Sequence, residues 1–501
     1  MDVVQTTVGQ NKGTARVWLQ GNSLLRNGFE PGVKYTREAK NGIIVLTVAS
    51  DEFKLVQLNA DDGSKIREVS SRKKGDKQIP IIDINNDEIA KMFEGMSHVR
   101  AIFQHNRIVI LPTASEIRAR ARRDRAIATI AAGKPLKMAA FAAGGGVLDH
   151  AMEKGLSDVG VASKLCISNE YREELTDHAM EHNSAWSKDT ISLCGPMQEY
   201  AFDDAILRMV AKELGDDGEV DNITAGIPCS GASVAGAAKR KLVHAEAHPE
   251  VGHLIAPFIA LIARFNPSTV VLENVPQYAN TASMDILRST LRDLHYDVHE
   301  SMVEGADWNA LENRKRMVMV AVTKGMSFDF AKLQRPEKVV RTLGEVLEVL
   351  PDDDSRWSQM AGLKAKEIRD AEAGKSFAMQ TFNANSTKIA TLTKGIPKNR
   401  STDPKIEHPT NPDLLRVPTA TEHARCKGIP VELIEGLCHT TAHELLGQSI
   451  IYDPFVSIAN LIGQSYKDLQ KTGSAEAALN AELVTEAVIA RAKQIARAKM
   501  H

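Results

Sequence analysis

Apolar residues are spaced along this chain in two rhythms, with a charged stretch between them. From residue 14 to 112 they come in short β-like runs: Ala15 to Leu19, Ile43 to Val48, Lys54 to Leu58, Ile79 to Ile84 and Arg107 to Leu111. Turn residues such as Asn41-Gly42 and Asp62-Gly63 part them, as between strands. Two stretches read as copies of one unit. Val17-Trp18-Leu19, Asn22 to Phe29, Val33-Lys34 and Ile43 to Leu46 lie on Ile81-Ile82-Asp83, Asn86 to Phe93, Val99-Arg100 and Ile108 to Leu111. Each copy predicts a strand, a helical turn ending in Phe-Glu, and a β-hairpin. After Gly133-Lys134-Pro135, apolar strand-like runs alternate with helical stretches, the pattern of an α/β fold on a mostly parallel sheet. Between the two regimes, Thr113 to Ala132 favours helix and carries five arginines from Arg118 to Arg125, which predicts an exposed basic linking helix.

In the α/β part, four strand-like runs lead into chemistry-bearing segments. Met138 to Ala142 leads into Ala143-Gly144-Gly145-Gly146, and Leu165 to Ser168 into Asn169-Glu170. Asn222 to Ala225 leads into Gly226-Ile227-Pro228-Cys229, and Thr269 to Leu272 into Glu273-Asn274-Val275. Ligands of open α/β sheets sit at the carboxyl ends of the strands, so these segments should meet at one crevice. A glycine turn lets backbone approach a nucleotide, and an acid some 20 residues later can accept from ribose hydroxyls; Gly144 to Gly146 and Glu170 meet that spacing. The G-x-G-x-x-G fingerprint is not completed, since position 149 is Asp. A lone cysteine is usually a small core residue. Cys229 differs because Glu273 follows the apolar run Val270-Val271-Leu272, where a carboxylate is an odd choice unless the crevice uses it. Thiolate and carboxyl are the pair that activates a pyrimidine ring: sulfur adds at C6, the acid engages N3, and C5 becomes nucleophilic.

Composition narrows the picture. The 501 residues, 43% hydrophobic and 25% charged, suffice for two or three globular domains. The longest nearly apolar stretch, Leu254 to Phe265, is broken by Pro257 and Arg264 and falls short of the roughly 20 residues a bilayer requires, so no membrane partner is expected. The start, Met-Asp-Val-Val-Gln, lacks the features of a secretory signal, and a cytosolic setting is expected. Five scattered cysteines (Cys166, Cys194, Cys229, Cys426, Cys438) at no metal spacing predict neither disulfides nor a metal site. The net charge of -2 hides an asymmetry: residues 1–135 hold 22 Lys and Arg against 15 Asp and Glu, about +7, leaving about -9 on the rest. A basic front suits a nucleic-acid partner.

From about residue 137 to 465 these features, in this order, resemble the C5-cytosine-specific DNA methyltransferase family. Phe141-Ala142-Ala143-Gly144-Gly145-Gly146 resembles its Phe-x-Gly-x-Gly-Gly cofactor loop, Glu170 its ribose-binding acid, and Gly226 to Ser233 its nucleophile loop. Glu273-Asn274-Val275 matches the family's Glu-Asn-Val segment. Glu312-Asn313-Arg314-Lys315-Arg316 resembles Gln-x-Arg-x-Arg, whose arginines would face the base and phosphates. Arg416 to Arg425 resembles the late Arg-x-x-Thr-x-x-Glu-x-x-Arg segment, and Gly447-Gln448-Ser449-Ile450 the Gly-Asn-Ser-Val loop that returns to the cofactor. In the front region, Leu19-Gln20-Gly21-Asn22 through Phe29-Glu30-Pro31-Gly32 resembles SymE-type toxins and, more distantly, AbrB-like swapped-hairpin DNA-binding domains. Those fold as homodimers, so a tandem copy would supply both halves from one chain.

The resemblance implies a class I methyltransferase, with a Rossmann-like mostly parallel sheet, a small target-recognition domain and a β-rich N-terminal domain. It divides the chain into that N-terminal domain (1–112), a basic helical linker (113–135), a catalytic domain binding S-adenosyl-L-methionine (136–325), a target-recognition region (326–415), the C-terminal part of the catalytic domain (416–465) and a C-terminal helix (466–501). It implies Cys229 as nucleophile with Glu273, Arg314 and Arg316. Phe141, Ala143, Gly144, Gly145, Gly146, Glu170, Pro228, Gln448 and Ser449 would line the cofactor site. The implied partner is double-stranded DNA bound by a monomer, in a bacterial or phage-infected cell and on the nucleoid when bound. Departures lie mainly in the cofactor pocket. Ala143 stands at a usual glycine, Gly195-Pro196-Met197 lacks the expected adenine-binding aspartate, and Ser230, Ala232, Glu312 and Gln448 replace Gln, Phe, Gln and Asn. The competing readings are an RNA cytosine methyltransferase and a non-catalytic DNA-binding regulator. A solitary phage or prophage enzyme and a partner in restriction-modification both fit the chain.

Overall fold

Residues that favour strands dominate the first of two units, Met1–Arg120; the second is Ala121–His501, and the division falls inside the helix Ala114–Ala131. The computed structural model describes residues 1–40, 42–49, 66–85, 92–93, 95–215, 218–228, 231–232, 240 and 243–473. The expected strand Lys54 to Leu58 and the segment 86–91 lie outside them.

The strands of the first unit are β1 (Asp2–Asn11), β2 (Thr14–Gln20), β3 (Lys34–Lys40), β4 (Ile43–Val48), β5 (Arg67–Glu68), β6 (Ser70–Lys74), β7 (Lys77–Asn85), β8 (His98–Gln104) and β9 (Arg107–Pro112). They run side by side in the order β5-β3-β4-β9-β8-β1-β2-β7-β6. β5 and β6 are parted only by Val69, whose N–H donates to Val33 O at 2.9 Å, so the two ends of the order meet. The core inside includes Val17, Leu24, Phe29, Ile44, Phe93 and Ile110.

The two hairpins of the first unit stand at one regular spacing in the chain. Hairpin β3–β4 pairs Tyr35 with Val48, and β8–β9 pairs Val99 with Pro112; both partners are displaced by 64 residues, as Phe93 is from Phe29. β4 and β9 pair about Val45↔Val109, again 64 apart, as two copies related by a local two-fold must. The sequence alignment is corrected by one residue at β4, where Ile44 and Leu46 match Ile108 and Ile110, and by two at β3, where Tyr35 matches Val99. The one-residue correction at β4 is the one that matters for packing, since it puts Ile44 and Leu46 on the inner face as Ile108 and Ile110 are.

In the second unit the strands β10 (Leu136–Phe141), β11 (Ser163–Glu170), β12 (Ile191–Cys194), β13 (Asn222–Ala225), β14 (Thr269–Asn274), β15 (Tyr296–Glu304) and β16 (Lys315–Thr323) form a sheet in the order β12-β11-β10-β13-β14-β16-β15. Pairings from β12 to β14 are parallel, and only β16 runs against the others. Strands as apolar as Thr269–Asn274, buried throughout, require cover on both faces. Helices Val147–Asp158, His439–Gln448 and Tyr452–Gly473 contribute to one core, and Asp204–Leu214, Ile255–Phe265 and Ala282–Asp293 to the other. The order reverses between β10 and β13, which opens a crevice at their carboxyl ends.

Three expectations change. The arginine-rich helix is not simply an exposed linker: Arg122 is 1% exposed, its guanidinium lies 3.7 Å from the Tyr296 ring and it donates to Leu294 O, His295 O and Thr323 Oγ1, each at 2.7 Å. Arg125 pairs with Glu219 and Asp221. The interval 326–415, which shows little periodicity, has a small core of Leu343, Ile389, Leu392 and Ile406 with Leu311 and Cys426. It also holds the helix Ala361–Glu372 and a sheet of β17 (Thr381–Phe382), β18 (Lys405–Glu407) and β19 (Leu415–Arg416). Residues 466–473 continue the helix begun at Tyr452, and the rest of the expected C-terminal helix lies outside the described residues. Among the described residues, no single helix is long and apolar enough to cross a membrane.

Candidate active site

The four segments expected to converge do share one edge of the sheet. β10 and β11 run in register to Phe141↔Asn169, and β13 and β14 to Ala225↔Leu272. The glycine turn, Glu170, Gly226-Ile227-Pro228 and Glu273 therefore follow at one level. β16 arrives from the opposite direction with Val318 against Glu273, so its leading residue Arg316 comes to the same edge.

Phe141 closes β10 inside the core, and the chain turns sharply through Ala142, Gly144 and Gly146, at φ 52°, 59° and 72°. Gly144 is needed for that backbone, and the space its missing Cβ would fill is open. Gly145 and Gly146 are glycines for a different reason. A Cβ would stand 2.3 Å from Leu445 Cδ1 at the first and 2.5 Å from Asn183 Nδ2 at the second. Gly146 precedes the helix Val147–Asp158, whose free N–H groups favour an anion or a dipole. Glu170 accepts from Gly144 N–H at 2.7 Å and from Arg172 N–H at 3.0 Å, which ties the acid to the glycine turn and leaves each oxygen a lone pair. Ala143 N–H donates to Asn169 O at 3.1 Å, so the missing methyl-free glycine there does not break the turn. Open space at Gly144 beside a fixed carboxylate fits a nucleoside ligand. Tyr171, 73% exposed, directly follows that acid, and its bare ring is a signal the sequence reading passed over.

Cys229 lies outside the described residues. The segment that delivers it is held: Asn274 Nδ2 donates to Ile227 O at 3.0 Å, so the residue after Glu273 fixes the loop two residues before the cysteine. Glu273 is 7% exposed, and Arg316 Nε lies 2.9 Å from its Oε1. Burial raises its carboxyl above the ordinary range, while Arg316, then Arg314 and Lys427, pull it down. Such a group keeps its proton to higher pH than a solvated glutamate.

The two arginines part company. Arg316 stays with Glu273, whereas Arg314, buried, turns to Glu312 at 3.4 Å and donates to Gly447 O at 3.1 Å. Pro228 is half-buried at the loop. Gln448 is exposed at the end of the helix His439–Gln448, and Ser449 donates back to Leu445 O at 2.8 Å. Gly447 must be glycine, because a Cβ would stand 2.0 Å from Lys394 N. Lys427, fully buried 3.5 Å from Glu312, is a second residue the sequence reading missed. Its signal was Glu312 itself, since a carboxylate in place of a neutral amide calls for a new cation. Among the described residues no group of His, Cys, Asp or Glu could hold a metal ion.

A glycine turn, a fixed acid and a buried carboxyl beside an arginine thus share the carboxyl edge of a mostly parallel α/β sheet, where ligands of such sheets sit. The chain belongs to the C-5 cytosine-specific DNA methylase family, whose profile matches residues 201–464. It is 25% identical over 270 residues to the type II methyltransferase M.SsoII of Shigella sonnei, a match covering 52% of this chain and 67% of that protein. It is 26% identical over 264 residues to M1.ScrFI of Lactococcus lactis subsp. cremoris, covering 51% and 64%, and 24% over 268 residues to M.MspI of Moraxella sp, covering 51% and 59%. The chain thus spans about three fifths to two thirds of these relatives' length. In fold it is similar to the S. pombe Dnmt2 methyltransferase (TM-score 0.50, 15% identity) and to the Entamoeba histolytica methyltransferase EhMeth (TM-score 0.51, 14% identity), over 67% of this chain and 99% of each.

Proposed function

We propose that the chain is an S-adenosylmethionine-dependent DNA cytosine-C5 methyltransferase that works through a covalent Cys229 adduct on a flipped-out base. The observation that carries this is the buried Glu273 carboxyl, raised by burial and held by Arg316 at the level of the loop that leads to Cys229. Gly144 and its neighbours, Phe141, Glu170, Pro228 and Ser449 would hold the cofactor, with Tyr171 offering a ring face to its adenine. When bound, the cofactor supplies an electrophilic methyl group. A cytosine in a duplex is out of reach of these groups, so the base leaves the stack at a cost of roughly a few kcal/mol. The Cys229 thiolate adds at C6 while Glu273 gives a proton to N3, which neutralises the charge entering the ring and leaves C5 electron-rich. After methylation at C5, loss of the C5 proton and elimination of the sulfur restore the thiolate.

Trapping tests this reading. DNA containing 5-fluorocytosine should give a covalent adduct when cofactor is present, and Cys229→Ser should give none. An adduct on RNA alone would move the substrate to RNA, and none on either would leave a DNA-binding regulator.

Residues 326–415 serve as the target-recognition region of a monomeric enzyme in the bacterial cytoplasm. Residues 1–112 join both halves of a SymE/AbrB-like swapped-hairpin unit in one chain, supported by the 64-residue displacement of its two hairpins. That unit adds contacts to the phosphates of double-stranded DNA. The β6–β7 hairpin presents Arg72, Lys73, Lys74 and Lys77, all exposed, and favours this role.

A further inference from the structure

Deep beside the crevice lies a charge cluster that the reaction above does not use. Glu312 and Lys427 are both 0% exposed, and Lys427 Nζ stands 3.5 Å from Glu312 Oε2. The other carboxylate oxygen, Oε1, takes Arg314 Nη1 at 3.4 Å and the Leu392 N–H at 3.2 Å. Each cation spends another donor on the last turn of the helix His439–Gln448: Lys427 on Leu446 O, Arg314 on Gly447 O. Those carbonyls are the electronegative end of the helix, where cations are stabilised. Lys427 O in turn accepts from Tyr452 N–H at 3.0 Å. One carboxylate and two cations therefore clamp the 312–316 segment, the 446–449 turn and Leu392 of the 326–415 interval.

We propose that Glu312 and Lys427 act as one positioning unit for methyl transfer: the pair fixes Arg314 between two segments and so sets where Arg316 meets Glu273. The inference rests on the reading of Glu273 as the acid. The chemistry is that of compensated charge. Without Lys427 the buried Oε2 of Glu312 loses the cation beside it, and without Glu312 the cations Arg314 and Lys427 face each other with no carboxylate between them; either way the segment shifts to hydrate the exposed group. A neutral amide at both positions returns the cluster to the single net positive charge that Glu312, Arg314 and Lys427 carry together in the native chain. Burial lowers the Lys427 ammonium to about 7, with Arg314 and Arg316 lowering it and Glu312 raising it. Around it lie Glu312, Glu273, Arg314, Arg316, His423, His443 and Cys426. Loss of its proton as pH rises through that value removes the cation beside Glu312 Oε2 and leaves Arg314 to hold the carboxylate alone.

The test is a two-by-two set in the full chain: wild type, Glu312→Gln, Lys427→Gln and the double variant, each read for kcat and KM on cytosine DNA across pH and for thermal unfolding. Each single change should lower kcat by about 10- to 100-fold, the effect of a small misplacement, with little change in KM for the cofactor. The double variant should recover to within a few-fold of wild type, and the fall in kcat on the alkaline side of pH 7 that Lys427 contributes should vanish from it. If the single variants fail to fold, the double decides: folded and active supports the unit, folded and inactive overturns it. Single variants with wild-type kcat also overturn it. A wild-type chain that transfers no methyl to cytosine would sink the underlying reading and the pair's role with it, an outcome distinct from an active wild type with unimpaired single variants.

Discussion

At the residue scale, what matters about Glu273 is the tension between its burial and Arg316. Burial lifts its carboxyl and Arg316 draws it down, so on the proposed reading its proton is available to N3 only below the folded-state value. Activity that needs the acid is full at lower pH and is lost as pH rises through that value. Arg316→Met removes the largest lowering influence, so the alkaline limb of kcat should move to higher pH; a limb that stays or moves down would detach Arg316 from this carboxyl. Asp149 behaves differently. It is buried with Thr224 Oγ1 at 2.9 Å as its hydrogen-bond donor, and burial pushes its carboxyl up to about 7. The folded chain then keeps a proton that the unfolded chain releases near 4, so stability is full below about 4 and declines as pH rises to about 7. Asp149→Asn should be more stable than wild type at pH 8 by up to about 4 kcal/mol and similar at pH 4, as urea unfolding would measure. Glu273 was legible because its oddity is local, a carboxylate at the end of an apolar strand. Asp149 and Lys427 were not, because burial is decided by segments far away in the chain.

At the scale of elements, the helix Ala114–Ala131 shows how composition misleads. Five arginines in eight residues argue for a solvated face, yet Arg122 and Ala126 share a buried stripe, with Ile127 and Ile130 packed against the same core. An arginine can occupy such a stripe when acceptors wait for its donors, and here the carbonyls of Leu294 and His295 and the Thr323 hydroxyl do. The spacing was therefore in the sequence, but the acceptors sit some 170 to 200 residues further on. Arg122→Ala should cost about 3 kcal/mol or more, through unpaired carbonyls and a cavity under Tyr296. Arg120, exposed and paired with Glu116 one turn back, provides the contrast: Arg120→Ala should leave the unfolding midpoint where it is. Equal effects of the two changes would return the helix to the role of a solvated linker.

For the whole molecule, the two units differed in how far their sequence revealed them, and the reason is where each keeps its side chains. The catalytic sheet is buried on both faces, so its strands are apolar runs and the chemistry follows each one. In the first unit the repeated hairpins were visible, but β1 and the β5–β6 stretch, which complete the ring of strands, were not. β1 is exposed along most of its length and all of β6 is exposed. β1 is held by backbone hydrogen bonds to neighbours on both sides, and β5 and β6 by a ladder to one neighbour each, so they need no apolar alternation and leave no periodic trace. Freed from packing, β6 and the start of β7 can carry charge: Arg72, Lys73, Lys74 and Lys77 stand on one hairpin without a core to fill. If the first unit adds phosphate contacts, these side chains release counterions on binding, and the logarithm of affinity should fall with the logarithm of salt by about 0.9 per contact. The variant Arg72→Gln/Lys73→Gln/Lys74→Gln should then reduce that slope by up to about 2.7 and raise KM for DNA most strongly at low salt. Its kcat at saturating DNA should hold, because Cys229 and Glu273, the residues proposed to do the chemistry, belong to the other unit. An unchanged salt slope would remove DNA from the partners of this hairpin while leaving the methyltransferase reading intact.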